Sequence, residues 1–247
     1  MDIAALWILI TLTGIFAGTL SGIIGFGSSV IMLPLIVFTF GAKEAVPIMA
    51  VAALLANCTR VGIWIKEINW RAAMAFSVTA VPAAYLGART LIVLDSSVLE
   101  VILGIFFVAI VLIRRWIGER NFKIRDVHLA GVGLVLGFLT GIVVTTGPIN
   151  SPFFLWYGLT KGAYIGTEAM ASLTVYATKV ATFGFSQFLS LQNFINGLLV
   201  GASLIIGSFL SKFLIDRIDP KWFRFIVETA LIITGILMAL KGILELI

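Results

Sequence analysis

The chain has 247 residues, 60% hydrophobic and 12% charged, with a net charge of +5 and a mean hydropathy of +1.13. Soluble domains carry about 25% charged residues, so this composition excludes a chain whose whole surface meets water. Backbone groups facing lipid must be satisfied within their own segment, so the expected class is an all-α polytopic membrane protein.

Ten apolar segments follow in order, at about 4–22, 28–41, 45–65, 70–91, 97–116, 127–144, 149–159, 165–187, 193–214 and 221–244. Most approach the roughly 20 residues that a spanning helix needs, giving eight to ten transmembrane segments. The first follows Met1-Asp2 with no basic leading stretch, so it reads as a retained helix and not a signal peptide. The second and seventh are short. The seventh would make only about 16 Å of helix against a core of about 30 Å. The pairs one–two and six–seven therefore read as broken helices or as re-entrant hairpins.

Basic residues set the orientation. Arg114, Arg115, Arg120, Lys123 and Arg125 join segments five and six. Lys66 and Arg71 flank the third-to-fourth turn, and Lys212, Arg217, Lys221 and Arg224 the ninth-to-tenth. The opposite side has Lys43, Arg89 and Lys241. The positive-inside rule then predicts a multi-pass protein of the cell membrane with both termini outside. The organisation is a first repeat at 1–116, a cytoplasmic linker at 117–126 and a second repeat at 127–247.

The halves resemble each other. Gly18-Thr19-Leu20-Ser21-Gly22 corresponds to Gly137-Phe138-Leu139-Thr140-Gly141, each followed by a breaker-rich stretch and a proline, Pro34 or Pro152. Thr59-Arg60-Val61 matches Thr178-Lys179-Val180 at an offset of 119. Thr79, Ala83 and Gly87 match Ser203, Gly207 and Ser211 at an offset of 124, as Asp95 matches Asp219. Five segments per half is odd, so the second copy enters from the opposite face. The expected architecture is two five-segment inverted repeats, with a solute site between them at the midplane.

Two glycine- and proline-rich breaks are the first site candidates. One runs from Gly22 to Ser29 and includes Gly25, Gly27 and Ser28; the other runs from Thr145 to Pro152 and includes Thr146, Gly147, Asn150 and Ser151. Helix breaks at membrane depth free amide donors, and helix N-termini favour an anion. A tight turn with its polar groups satisfied internally is the competing reading. The second candidate is the matched pair Arg60 and Lys179, with Thr178 beside the lysine. A cation at mid-helix costs about 2.5–3.5 kcal/mol on insertion scales, so Lys179 should face a cavity or a partner. An internal ion pair with Glu168, eleven residues earlier on the same face, is the alternative. Arg60 either shares the site with Asn57, one turn earlier, or extends to water.

Other singletons read as structural. Cys58 is expected to be a small core residue. His128 reads as a solvated interfacial histidine, Pro82 as a kink, and most tryptophans as a belt near helix ends. One cysteine excludes an internal disulfide. No phosphate-binding loop, HExxH or metal-ligand cluster occurs, so no cofactor, metal or enzymatic activity is expected. Nor does an aromatic-basic pattern suggest nucleic acid.

These residues resemble the TauE/SafE family of sulfite-exporter-like permeases (TSUP family). The likeness rests on Gly18-x-x-Ser21-Gly22-x-x-Gly25-x-Gly27, Pro34, the small-residue third segment with Asn57, and the second copy from Gly137 to Pro152. The chain departs from its own first half at Thr145-Thr146-Gly147-Pro148, where glycines are fewer. The resemblance implies transport of a small sulfur-containing anion such as sulfite or an organosulfonate. The expected partners are that anion, membrane lipid and, as an open alternative, a second copy in a homodimer. Alternatives are a channel-like anion pore, a transporter of another small organic anion, a membrane-embedded enzyme and a structural membrane partner.

Overall fold

The structure is a computed structural model that describes residues 3–25, 27–118, 122–214 and 220–246. Met1, Asp2, Arg120, Arg217 and Asp219 lie outside the described residues. The described residues form α1 (Ile3–Ile24), α2 (Ser28–Phe40), α3 (Ala42–Trp64), α4 (Trp70–Ile92) and α5 (Ser96–Gly118). Then come α6 (Asp126–Ile142), α7 (Gly147–Trp156), α8 (Lys161–Phe185), α9 (Leu191–Leu214) and α10 (Pro220–Leu246). A single 3-10 turn, Ile65–Glu67, follows α3. Helices α1, α3, α4, α5 and α9 each contain a stretch long and apolar enough to cross a membrane. Their outer faces carry exposed residues such as Leu12, Met74, Val78, Ile105 and Leu199. Apolar side chains on the outside suit lipid as solvent.

The two short helices double back. Gly25 and Gly27, at φ 89° and 114°, adopt a left-handed backbone that side chains disfavour, and the chain reverses there between α1 and α2. At the other end of this pair the rings of Trp7 and Phe40 lie 6.1 Å apart. In the second half α6 stops at Ile142, and α7 starts at Gly147 with Pro148 in its first turn, where a missing N–H costs nothing. The end of α7 returns to the start of α6, where the Tyr157 hydroxyl donates to Asp126 Oδ1 at 2.6 Å. Arg71 Nε donates to the other oxygen at 2.6 Å and ties α4 to the same corner. In both halves the two helices fold back on each other as a hairpin.

The packing repeats between halves. Helix α1 packs on α9 as α6 packs on α4, α3 on α9 as α8 on α4, and α5 pairs with α10 while α3 pairs with α8. Each hairpin's first helix docks through three glycines one turn apart: Gly14, Gly18 and Gly22 in α1, and Gly133, Gly137 and Gly141 in α6. Gly14 faces Ser203 and Gly22 faces Ser211, while Gly133 faces Thr79 and Gly141 faces Gly87. Small residues let helix backbones approach closely where lipid offers no hydrophobic drive for association. Thr79 crosses this seam and donates to Ala130 O at 2.6 Å. A Cβ at Gly137 would stand 2.5 Å from Ala80 O, so Gly137→Ala should force α4 and α6 apart and cost about 1–3 kcal/mol. Gly131→Ala, nearly two turns earlier in α6 with open space around it, should stay within about 0.5 kcal/mol. Thermal unfolding of both variants in detergent checks the pair.

Several singletons settle at once. Cys58 is exposed on the outside of α3, not in the core, because its helical position turns it away from the face carrying Asn57 and Arg60. His128 is exposed, and its Nδ1 accepts the Arg125 N–H at 3.0 Å, capping α6. Trp156 packs edge-on against Phe122 and Phe153.

Candidate functional site

The site is built where the two hairpin tips meet α3 and α8. Helix α8 is the least apolar of the long inner helices, and it buries Glu168, Ser172, Tyr176 and Lys179. These recur every three or four residues, so they form one stripe along the helix. From α3, Asn57 and Arg60 face the same region and are 2% and 5% exposed.

Each cation is directed at the carbonyl end of its own half's hairpin helix. Arg60 Nη1 donates to Gly25 O, just past the end of α1, and Arg60 Nη2 donates to Asn57 Oδ1 at 2.5 Å. Asn57 is itself held by its Nδ2 donating to Ala53 O at 2.8 Å. Lys179, fully buried, donates from Nζ to Thr140 O at 2.8 Å and Val143 O at 2.7 Å at the end of α6. Its ammonium also lies 5.6 Å from the Phe183 ring centroid. The last carbonyls of a helix lack intrahelical donors and carry its negative dipole end, so a cation there satisfies both needs. The repeat-related residues thus do equivalent work.

Glu168 pairs with Arg60 and not with Lys179: its Oε2 lies 3.6 Å from Arg60 Nη1. Eleven residues along a helix is about 16 Å, beyond the reach of a direct pair between Glu168 and Lys179. Arg60 accordingly points into the bundle and does not extend to water. Glu168 Oε1 accepts from Ser172 Oγ at 2.8 Å, while Oε2 has no hydrogen-bond donor.

Tyr176 joins the two hairpin tips. Its hydroxyl donates to Val144 O at 2.9 Å and interacts with the side chains of Thr145 and Ser29. Beside it is a small cavity of about 10 Å³, lined by Thr140, Thr146, Gly147, Asn150, Ser172 and Tyr176 among others, which is room for about one water. Thr140 and Thr146 share a hydrogen bond at 2.5 Å, the Gly147 N–H donates to Thr145 Oγ1 at 3.3 Å, and Ser151 Oγ donates to Gly147 O at 2.8 Å. Asn150 Oδ1 is buried with no hydrogen-bond partner. On the first hairpin, Ser28 and Ser29 open α2 behind Gly27, which has no side chain to cap it.

Of the residues singled out from sequence, Thr146, Gly147 and Asn150 line the cavity, with Thr145, Ser151 and Ser29 around it. Gly25, Asn57 and Arg60 form the adjoining cluster on α1 and α3. Lys179 lies next to the cavity, behind Thr140. Thr178 points elsewhere, into a recess of about 700 Å³ shared with Tyr85, Arg89, Thr182 and Phe185. Sequence reasoning missed Tyr176 and Ser172, which share the helical stripe of Lys179. It also missed Thr140 as a lining residue, although Thr140 is the repeat partner of Ser21.

Comparison with known proteins gives two matches. The model of the sulfite exporter TauE/SafE family matches residues 10–238. A probable membrane transporter protein of Methanocaldococcus jannaschii is similar at 23% identity over 256 aligned residues, which cover 94% of this chain and 95% of that protein. No solved structure matches the chain.

Proposed function

Because the chain belongs to the sulfite exporter TauE/SafE family, we propose that it is a secondary transporter of a small sulfur-containing anion, sulfite or an organosulfonate, working by alternating access. The observation that carries this reading is the convergence of both hairpin tips on Tyr176 beside a small polar cavity. Carriers of this architecture place the solute between two repeats, at interrupted helices. An anion has several heavy atoms, and a cavity sized for about one water must widen to admit it. A site this small, which must widen to take its solute, fits a carrier better than an open pore.

In this reading Arg60 and Lys179 supply positive charge, and Ser28, Ser29, Thr145, Thr146, Asn150 and Ser151 supply neutral polar groups in place of water. Gly25, Gly27 and Gly147 let the backbone come close, while Thr178 lines a separate recess. In this reading the repeats are inverted: each hairpin enters and leaves on one face, and the three helices that follow it in each half cross, so the crossing number per half is odd. Both termini then lie outside the cell membrane and the 117–126 linker lies in the cytoplasm, in agreement with the basic residues beside the turns.

Purified protein in liposomes tests the function directly. Uptake of labelled sulfite or methanesulfonate should saturate with concentration and be competed by the unlabelled anion. The substrate assignment fails if neither anion moves and neither shifts thermal stability. Conductance that does not saturate would replace the carrier with a channel.

A further inference from the structure

The hydrogen-bond directions around the cavity conflict with anion binding as they stand. A hydroxyl has one proton to give. The Tyr176 proton goes to Val144 O, the Ser172 proton to Glu168 Oε1, and the Thr140 proton to Leu136 O at 2.6 Å, so Thr146 donates to Thr140. The lining hydroxyls therefore turn lone pairs, not protons, towards the cavity. Asn150 Oδ1 is a further buried acceptor without a donor, while the amide nitrogen of the same side chain remains a donor. Meanwhile the nearest guanidinium, Arg60, already has a counter-anion within the protein, Glu168 at 3.6 Å.

One added proton removes the counter-charge and frees one of these hydroxyls, that of Ser172. A protonated Glu168 carries no charge, so Arg60 is left with an unneutralised positive charge. The new carboxyl O–H donates to Ser172 Oγ, whose own hydrogen rotates into the cavity. Building on the transport reading above, we propose that Glu168 is the proton-coupling group of this carrier, and that each anion is taken up together with the proton that uncouples Glu168 from Arg60 and reorients Ser172. The proton comes from the aqueous side on which the site is open and resides on the carboxyl oxygen. It leaves on the opposite side after the anion, which restores the Arg60–Glu168 pair. A monoanion and one proton move no net charge.

The surroundings of Glu168 suit the role. Arg60 on α3 is its charged partner at salt-bridge distance. The neighbouring polar groups of α4 and α7, Ser77 beside Thr174 and Asn150 at the cavity, are uncharged. Glu67, on the 3-10 turn, lies further along beside Gly162, and Tyr176 and Lys179 lie two and three turns further along α8. Glu168 is 1% exposed, so its protonation needs the site to open, which ties proton entry to anion entry.

Liposomes containing the full chain and a trapped pH dye provide the test, with methanesulfonate as the probe because it stays ionised. In the wild type, a gradient of one pH unit should drive about tenfold accumulation, unaffected by an imposed membrane potential, and methanesulfonate addition should move protons in the same direction. Glu168→Gln fixes the uncharged state. It should abolish accumulation and proton movement while exchange of labelled for unlabelled anion continues at an altered rate. A merely structural glutamate would lose exchange and coupling together, which overturns the proposal, as does Glu168→Gln that still accumulates anion. Wild-type exchange without any response to the pH gradient overturns coupling but leaves the transport reading standing. Absence of wild-type exchange overturns both.

Discussion

Arg60→Met is expected to destabilise the protein by about 3–5 kcal/mol, because it strands the Glu168 carboxylate inside the bundle without its charge partner. It also removes the donor to Gly25 O, so the tip of the first hairpin loses its anchor between α1 and α3. The two effects separate in a double-mutant cycle. Glu168→Gln in the Arg60→Met background removes the stranded charge and should recover more than half of the lost stability. Transport should not recover, since the cation near the site is still missing. Thermal unfolding in detergent measures the first quantity and liposome uptake the second. Strict additivity of the two substitutions would mean that the 3.6 Å approach carries no energy.

Lys179→Met should have an effect of similar size from a different cause. Methionine fills much of the same volume but cannot donate, and two buried carbonyls, Thr140 O and Val143 O, lose their partner. An unmet buried acceptor costs about 1–3 kcal/mol. These carbonyls end α6 where the chain turns towards α7, so their loss should loosen Thr140 and Thr146 at the cavity wall. At least a tenfold fall in anion uptake is expected, in line with a loss of about 1.4 kcal/mol or more at the site. Wild-type melting together with wild-type uptake would show that Lys179 anchors nothing that transport needs.

Much of the helix pattern was legible from residues alone. The segments at 28–41, 70–91 and 193–214 lie within two residues of α2, α4 and α9 at both ends. The first and second glycines of the docking seam to be recognised, Gly18 with Gly137 and Gly22 with Gly141, were visible as a repeat. Their third members, Gly14 and Gly133, hold the same offset but lie in more uniform apolar sequence. They stand out only where Ser203 and Thr79 are seen packed against them.

The sequence by itself determined the membrane class, the helix pattern, the two interruptions and the pairing of Arg60 with Lys179 across the repeat. Those features follow from apolar length, backbone freedom at glycine and proline, and spacing, all of which are properties along one chain. Only the tertiary structure decided that Glu168 meets Arg60, that Cys58 faces outward, that the interruptions are hairpin tips, and that Tyr176 joins them. The physical reason is that these contacts cross between helices distant in sequence. Spacing along α8 places Glu168 and Lys179 on one face, but the level at which α3 passes that face selects the arginine as the partner of the glutamate.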